Sequence, residues 1–260
     1  MKIRADISVY QPSSIEYMKA MKSKYNVDFV SVQLSYGANP TYDNRSSGYQ
    51  VANAYKVFGE VGAYHFYLGS PVVEAKHFLS RVKAHGLDKT TELMLDVEGN
   101  LSGNLTAQIN TFLDILYEAG YHNLAVYYNE NFGKGMNHKL FHHKPKIWVA
   151  KYSTYKPNCY FDIWQFTQSA RVGTSDLDLS YDYSKDFKVN PTYVKSGKLF
   201  KTKPKVMNVY KDEHLKQLRR SKYGRGSKVY GKVIKVGKVT RIKTAEGYIS
   251  GNTDYVTKVM

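Results

Sequence analysis

The sequence predicts an α/β fold, an irregular TIM-like (β/α) barrel followed by a small all-β domain, and three observations carry that expectation. Short β-rich runs alternate with helix-like stretches over residues 3–179, the order that builds a sheet wrapped by helices. Near Phe187 the composition shifts to Lys, Pro, Ser and Gly without a clear period. The charge shifts with it. Residues 1–188 hold 20 Lys+Arg against 18 Asp+Glu and residues 189–260 hold 18 against 4, so most of the formal +16 belongs to the tail.

Eight strands are expected at 3–8, 29–35, 61–68, 93–98, 124–129, 147–152, 162–167 and 176–179. Helices are expected at 14–24, 47–58, 71–85 and 105–119. Ser14 and Asn104 carry side chains that cap helix N-termini, and Gly86 and Gly120 are placed to end helices. Eight strands with shortened late helices fit a closed barrel. An open doubly wound sheet is the alternative, and neither a GxGxxG nor a P-loop supports a nucleotide site. Residues 189–205 read as a linker. After it, 228–233, 238–243, 247–250 and 255–259 alternate as short strands separated by Gly turns. The expected parts are therefore 1–188, 189–205 and 206–260, the last of a size that folds alone only marginally.

Several function classes lose support at this level. Cys159 is the only cysteine, so neither an internal disulfide nor a cysteine-based metal site can form. The start MKIRADISVY has no apolar core of a signal peptide, and no run approaches a membrane span. Synthesis in a cytoplasm is expected, with any action outside the cell following release. Ser8 has no evident His partner for nucleophilic catalysis. His65 reads as a structural histidine in a buried strand. His138, His142 and His143 have no carboxylate at useful spacing, so a solvated loop, with no metal and no cofactor, is expected.

The most informative run is Leu93-Met94-Leu95-Asp96-Val97-Glu98. Strand residues two apart share a face, so Asp96 and Glu98 project side by side at a strand end. Active sites of (β/α) barrels lie at the C-terminal ends of the strands. Two close carboxylates repel when both ionise, which leaves one able to hold a proton near neutrality. Cleavage of a glycosidic bond needs that acid, together with a second carboxylate for the cationic transition state. Asp6 in the first strand, and Asp176 and Asp178 in the last, add acids that barrel closure brings near each other.

These residues resemble glycoside hydrolase family 25, the Chalaropsis-type lysozymes found in many phage endolysins. The resemblance rests on Asp6-Ile7-Ser8 with Gln11, Val61–Phe66 (VGAYHF), Leu95-Asp96-Val97-Glu98, Val126-Tyr127-Tyr128, IWVAKY at 147–152, Ile163-Trp164-Gln165-Phe166 and Ser175-Asp176-Leu177-Asp178. It implies an irregular (β/α) barrel that cleaves between N-acetylmuramic acid and N-acetylglucosamine of bacterial peptidoglycan. It also implies Glu98 as proton donor and Asp96 as second carboxylate, with Asp6 and Asp176 completing an acidic floor. Tyr64, Tyr127, Trp148, Gln165 and Asp178 would contact the sugar. One element departs from the family: its frequent K-[AS]-[ST]-[EQ]-G reads Gln33-Leu34-Ser35-Tyr36-Gly37 here. A chitinase-type rival uses two further Asp before D-x-E, where this chain has Leu93 and Met94.

The tail is similar to bacterial SH3-type wall-binding domains, with Gly226-Ser227 before its hairpins and Tyr248 and Tyr255 later. That resemblance implies binding to the wall, and the basic charge suits anionic wall polymers. Nucleic acid is the weaker alternative, since no nucleic-acid motif accompanies the charge.

Overall fold

The computed structural model describes residues 2–184, 193–237 and 239–259. The chain divides into two compact units, Met1–Phe187 and Lys188–Met260. No helix among the described residues is long and apolar enough to cross a membrane.

The first unit runs β1 (Lys2–Ile7), α1 (Ile15–Tyr25), β2 (Val27–Tyr36), α2 (Ser47–Phe58), β3 (Gly62–Phe66), α3 (Pro71–Ala84), β4 (Leu93–Asp96), α4 (Leu105–Glu118), β5 (Leu124–Asn129), α5 (Glu130–Gly135), β6 (Lys146–Ala150), β7 (Ile163–Val172) and β8 (Ser175–Asp182). Helices α1, α4 and α5 start where a side chain accepts one of their free N–H groups. Ser14 accepts from the Tyr17 N–H, and Asn104 accepts from the Ala107 N–H. Each of the four long helices buries one stripe, such as Ile109, Phe112, Leu113 and Leu116 of α4, against the outside of the sheet.

The eight strands close into a barrel in chain order, with β8 beside β1. Strands β1 to β7 run parallel, while β8 is antiparallel to both of its neighbours. The reason is local. A turn at Gly173-Thr174, with Gly173 at φ +62°, sends the chain straight back where a helix would otherwise cross over. The start of β8, not its end, therefore lies at the rim reached by the ends of the other strands.

The main core lies between strands and helices, with Phe78, Phe112, Tyr128 and Met18 among its fully buried members. A second cluster, Tyr64, Met94, Ala125, Tyr127, Trp148, Ala150 and Ile163, joins residues of β3 to β7. Near the strand N-termini, Arg4 makes two hydrogen bonds to Glu92 at 2.7 and 3.1 Å and pairs with Asp182 at 2.9 Å. Lys146 joins Glu92 at 2.6 Å.

The second unit is all β: β9 (Leu199–Thr202), β10 (Val206–Tyr210), β11 (Leu218–Gly224), β12 (Lys228–Val236), β13 (Val239–Thr244), β14 (Gly247–Ser250) and β15 (Val256–Lys258). They form one sheet in the order β11-β10-β14-β13-β12-β9-β15. Its core includes Phe200, Val209, Val229, Ile242, Ile249 and Val256. The structure differs from the expected linker at 189–205, because β9 lies inside that range. Phe200 is fully buried and its strand pairs with β12 and β15. Residues 185–192, which hold the expected 188/189 boundary, and Lys238, the start of an expected strand, lie outside the described residues. Strands β10 and β11 were not expected. Most of β11 (LRRSKYG) is exposed, so it carries no apolar alternation to read.

Candidate active site

At the C-terminal end of the barrel strands lies a cleft of about 710 Å³ lined by Asp6, Asp96, Glu98 and Asp178. Each acid is positioned by its strand. Asp6 is the penultimate residue of β1 and sits directly opposite Asp178 on β8. Asp96 ends β4, and the ladder continues one residue further through the Val97 N–H, which donates to the Tyr127 carbonyl at 2.8 Å. Glu98 follows on the same side, and Gly99 at φ +83° then turns the chain away.

The acids interact in two pairs. Asp6 and Asp178 are hydrogen-bonded carboxyl to carboxyl, as are Asp96 and Glu98. Burial raises all four pKa values, and mutual repulsion adds to the rise for Asp6, Asp96 and Asp178. Burial raises Asp6 to about 6, and the hydrogen bond from Gln165 holds back a larger rise. Asp178 rises to about 9 through burial and then the Asp6 charge. Burial and then Glu98 hold Asp96 well above the carboxylate range, while the bond from Asp96 moderates the rise of Glu98. Each pair thus retains a proton near neutrality, which matches the behaviour of carboxylates sharing one site.

A hydrogen-bonded chain holds Asp6 in place. The Tyr127 hydroxyl donates to Gln165 Oε1 at 2.8 Å, and Gln165 Nε2 donates to Asp6 Oδ2 at 3.0 Å. The Tyr64 and Tyr127 hydroxyls stay neutral, since burial and then the nearby acids raise their pKa values far above the usual phenol range.

Three expected placements need correction. Asp176 is not on the cleft floor. It lies on the part of the β7–β8 hairpin that extends past the end of β1, where its half-exposed carboxylate pairs with Arg171 at 2.9 Å. Asp178, two residues on, takes the floor position. Trp148 does not line the sugar groove. It is fully buried and donates its indole N–H to Ser180 Oγ at 2.9 Å. Gln165 is also absent from the lining; being 1% exposed, it supports Asp6 from below. Tyr64 and Tyr127 do line the cleft.

The cleft also contains residues not anticipated from the sequence: Tyr10, Tyr36, Tyr42, Phe66, Tyr152 and Gln168. Tyr36 and Phe66 stack at 4.6 Å and 10°, and Tyr42 meets Tyr36 edge-on at 6.2 Å. Tyr36 stands at the position where the sequence departs from the family, so the departure itself was the available signal. His65 bridges Ser35 and Glu74 through its two ring nitrogens, each at 2.8 Å, and it is fully buried. Its role is structural.

Residues 5–174 match the family described as Glycosyl hydrolases family 25. The chain belongs to glycosyl hydrolases family 25. It is therefore a glycoside hydrolase, with three of the four cleft acids, Asp6, Asp96 and Glu98, inside the matched segment and Asp178 just beyond it. Among solved structures, this family 25 enzyme is similar to the catalytic domain of endolysin ply40 from bacteriophage P40 of Listeria monocytogenes. The identity is 28% and the TM-score 0.59, with 72% of this chain and 94% of that one covered. The CTP1L endolysin is 25% identical at a TM-score of 0.58, with 70% and 66% covered. The bacterial lysozyme from Streptomyces coelicolor shares the fold at 24% identity and a TM-score of 0.56, with 70% and 92% covered. No curated protein sequence matches the chain.

Proposed function

We propose that this family 25 enzyme is a peptidoglycan hydrolase, a lysozyme that cleaves the β-1,4 bond between N-acetylmuramic acid and N-acetylglucosamine, acting as a phage endolysin. The observation that carries the reading is the cleft lined by two pairs of carboxyl groups, none of them paired with Lys or Arg among the described residues, each pair retaining one proton near neutrality. Glycoside cleavage needs an acid for the leaving oxygen and a negative group beside the cationic sugar. Glu98 is the more exposed member of its pair and is the proton donor. Asp96 passes the shared proton to Glu98 and becomes the carboxylate that stabilises or attacks the anomeric carbon, or assists the substrate's N-acetyl group. Asp6 and Asp178 hold the floor and keep the local field negative. Tyr64 and Tyr127 contact the sugar, and the Tyr36–Phe66 stack offers a flat apolar wall of the kind sugar faces pack against.

The second unit is assigned as an SH3-like wall-binding domain. Its 18 Lys+Arg against 4 Asp+Glu between 189 and 260 suit anionic wall polymers. The enzyme is made in the cytoplasm and acts on the wall after release.

The test is hydrolysis of purified peptidoglycan, followed by identification of the new reducing end. Reducing N-acetylmuramic acid is expected. Reducing N-acetylglucosamine would overturn the bond assignment, and hydrolysis of chitin in place of peptidoglycan would overturn the substrate. A chain ending at Phe187 should keep its activity on soluble fragments and lose it on intact walls, because tethering raises the local enzyme concentration. The full chain's wall binding should weaken with salt and after removal of anionic polymers. Undiminished lysis of intact walls by the shorter chain would refute the targeting role.

A further inference from the structure

The sequence offers no carboxylate near His142 and His143, but the fold supplies one from α4. Asp114 Oδ1 lies 3.0 Å from His142 Nδ1 and 2.6 Å from His143 Nε2. Asp114 Oδ2 is also 3.0 Å from His142 Nδ1. One donor atom from each of the three residues falls within 4.8 Å of the others. We propose that Asp114, His142 and His143 form a binding site for one divalent transition-metal cation of the Zn²⁺ type.

Three features separate this cluster from a chance surface ion pair. First, the loop is held in an unusual backbone form. His143 and Lys144 have φ of 61° and 50°, left-handed values that two successive non-glycine residues rarely adopt. Second, the rest of the loop is anchored to the same helix that carries the carboxylate. The His142 N–H donates to Asn110 Oδ1 at 2.9 Å, and Asn110 Nδ2 donates to the Leu140 carbonyl at 3.0 Å. Asn110 and Asp114 lie one helical turn apart on α4, so the anchor and the ligand share a face. Third, the His143 ring is fixed in orientation. It stacks on Tyr117 at 3.8 Å and 8°.

Two imidazole nitrogens and one carboxylate oxygen form a donor set suited to Zn²⁺ and its first-row neighbours, not to Mg²⁺ or Ca²⁺. A tetrahedral Zn²⁺ with bonds of about 2.0–2.2 Å needs ligand atoms a little over ~3 Å apart. To reach it, the His142 contact at 3.0 Å opens by about half an ångström and the His143 contact at 2.6 Å by a little under ~1 Å, as the side-chain ends part around the ion. All three side chains are partly exposed, at 37%, 53% and 24%, which leaves water access for the remaining coordination position. The late turns of α4 and the loop before β6 lie at the end of the barrel away from the carboxyl cleft, since α4 returns from that end and β6 begins at the other. The cation is therefore a clip between loop and helix, stabilising the folded state by mass action, and does not take part in glycoside cleavage.

The test is titration of the metal-free full chain with Zn²⁺ by calorimetry, and with Co²⁺ by visible absorption. The expected result is one saturable ion per chain, a Co²⁺ spectrum of a nitrogen–oxygen site, and a melting temperature that rises with Zn²⁺. Asp114→Asn and His143→Ala should each weaken binding by roughly tenfold or more, at least the loss typical of supporting groups around a metal. His77→Ala, at a separate His–Asp pair, should leave it unchanged. Far-ultraviolet circular dichroism of each metal-free variant reports whether it is folded, so lost binding is not confused with lost structure. Absence of saturable binding, or binding that persists in the His142→Ala/His143→Ala double variant, would overturn the proposal.

Discussion

The two ends of the barrel hold their buried acids in opposite ways, although the same three strand regions supply both. The β1 strand carries Arg4 at one end and Asp6 at the other; β8 carries Asp182 and Asp178; Glu92, just before β4, is matched by Asp96 at its end. Near the strand N-termini, Arg4 and Lys146 compensate the acids. Burial alone would raise the Glu92 pKa, yet the two cations outweigh it and hold the group at about 2. At the cleft, none of the four acids pairs with Lys or Arg among the described residues, and all four pKa values rise. Compensated acids tie the barrel together. Uncompensated acids hold protons that chemistry can use, at some expense in stability.

The most severe way to break this contrast is at Glu98. Glu98→Gln should lower lytic activity by about 10²–10⁴-fold, since an amide cannot donate the required proton. Its melting temperature should match that of the parent, as followed by circular dichroism alongside a turbidity assay. Activity within a few-fold of the parent would move the acid elsewhere.

The opposite signature is expected at the other end. Glu92→Gln leaves Lys146 without this carboxylate and Arg4 with Asp182 alone, and should cost about 3–5 kcal/mol by denaturant unfolding. The activity of the molecules that remain folded should hold. Because the folded pKa of Glu92 is depressed to about 2, its contribution is present above the unfolded carboxylate pKa and disappears as pH falls toward 2. The difference between parent and variant should therefore shrink in acid.

Asp178 should reverse that sign. Its folded pKa is raised to about 9, so its favourable contribution is present below the unfolded value and is lost as pH rises toward 9. Asp178→Asn should be more stable than the parent at neutral pH by roughly 0.5–2 kcal/mol while losing activity, the usual trade at a functional site. A loss of stability at neutral pH would contradict the contrast between the two ends.

Smaller effects sharpen the map of the cleft. Tyr36→Ala should raise KM on glycan chains by about 2- to 10-fold with kcat nearly unchanged, corresponding to one aromatic contact of ~0.5–1.5 kcal/mol. A fall in kcat alone would place Tyr36 in the chemistry instead. Asp176→Asn should do least, changing stability by no more than about 0.5 kcal/mol and leaving lysis intact, because it removes only an exposed ion pair.

Local pattern alone made much of this legible. The strand-end run ending in Asp96-Val97-Glu98, the caps at Ser14 and Asn104 and the four main helices follow from side-chain alternation and hydrogen-bonding chemistry within a few residues. Strands of the second unit with exposed charged faces gave no such signal, and neither did a strand such as β9 whose burial depends on partners far along the chain.

The amino-acid order by itself determined the eight barrel strands and the four main helices, the acidic residues at the ends of the first and fourth strands, and the concentration of positive charge in the tail. Only the tertiary structure decided between Asp178 and Asp176. They have the same alternation, and the reversed direction of β8 places one on the floor and the other beyond the rim. It also decided that Trp148 is buried, that Gln165 supports Asp6, that Arg4 meets Glu92, and that Asp114 meets His142 and His143. These contacts span 28 to 159 residues of chain. Periodicity assigns a side chain to a face, but the partner it meets there is set by how strands register and close.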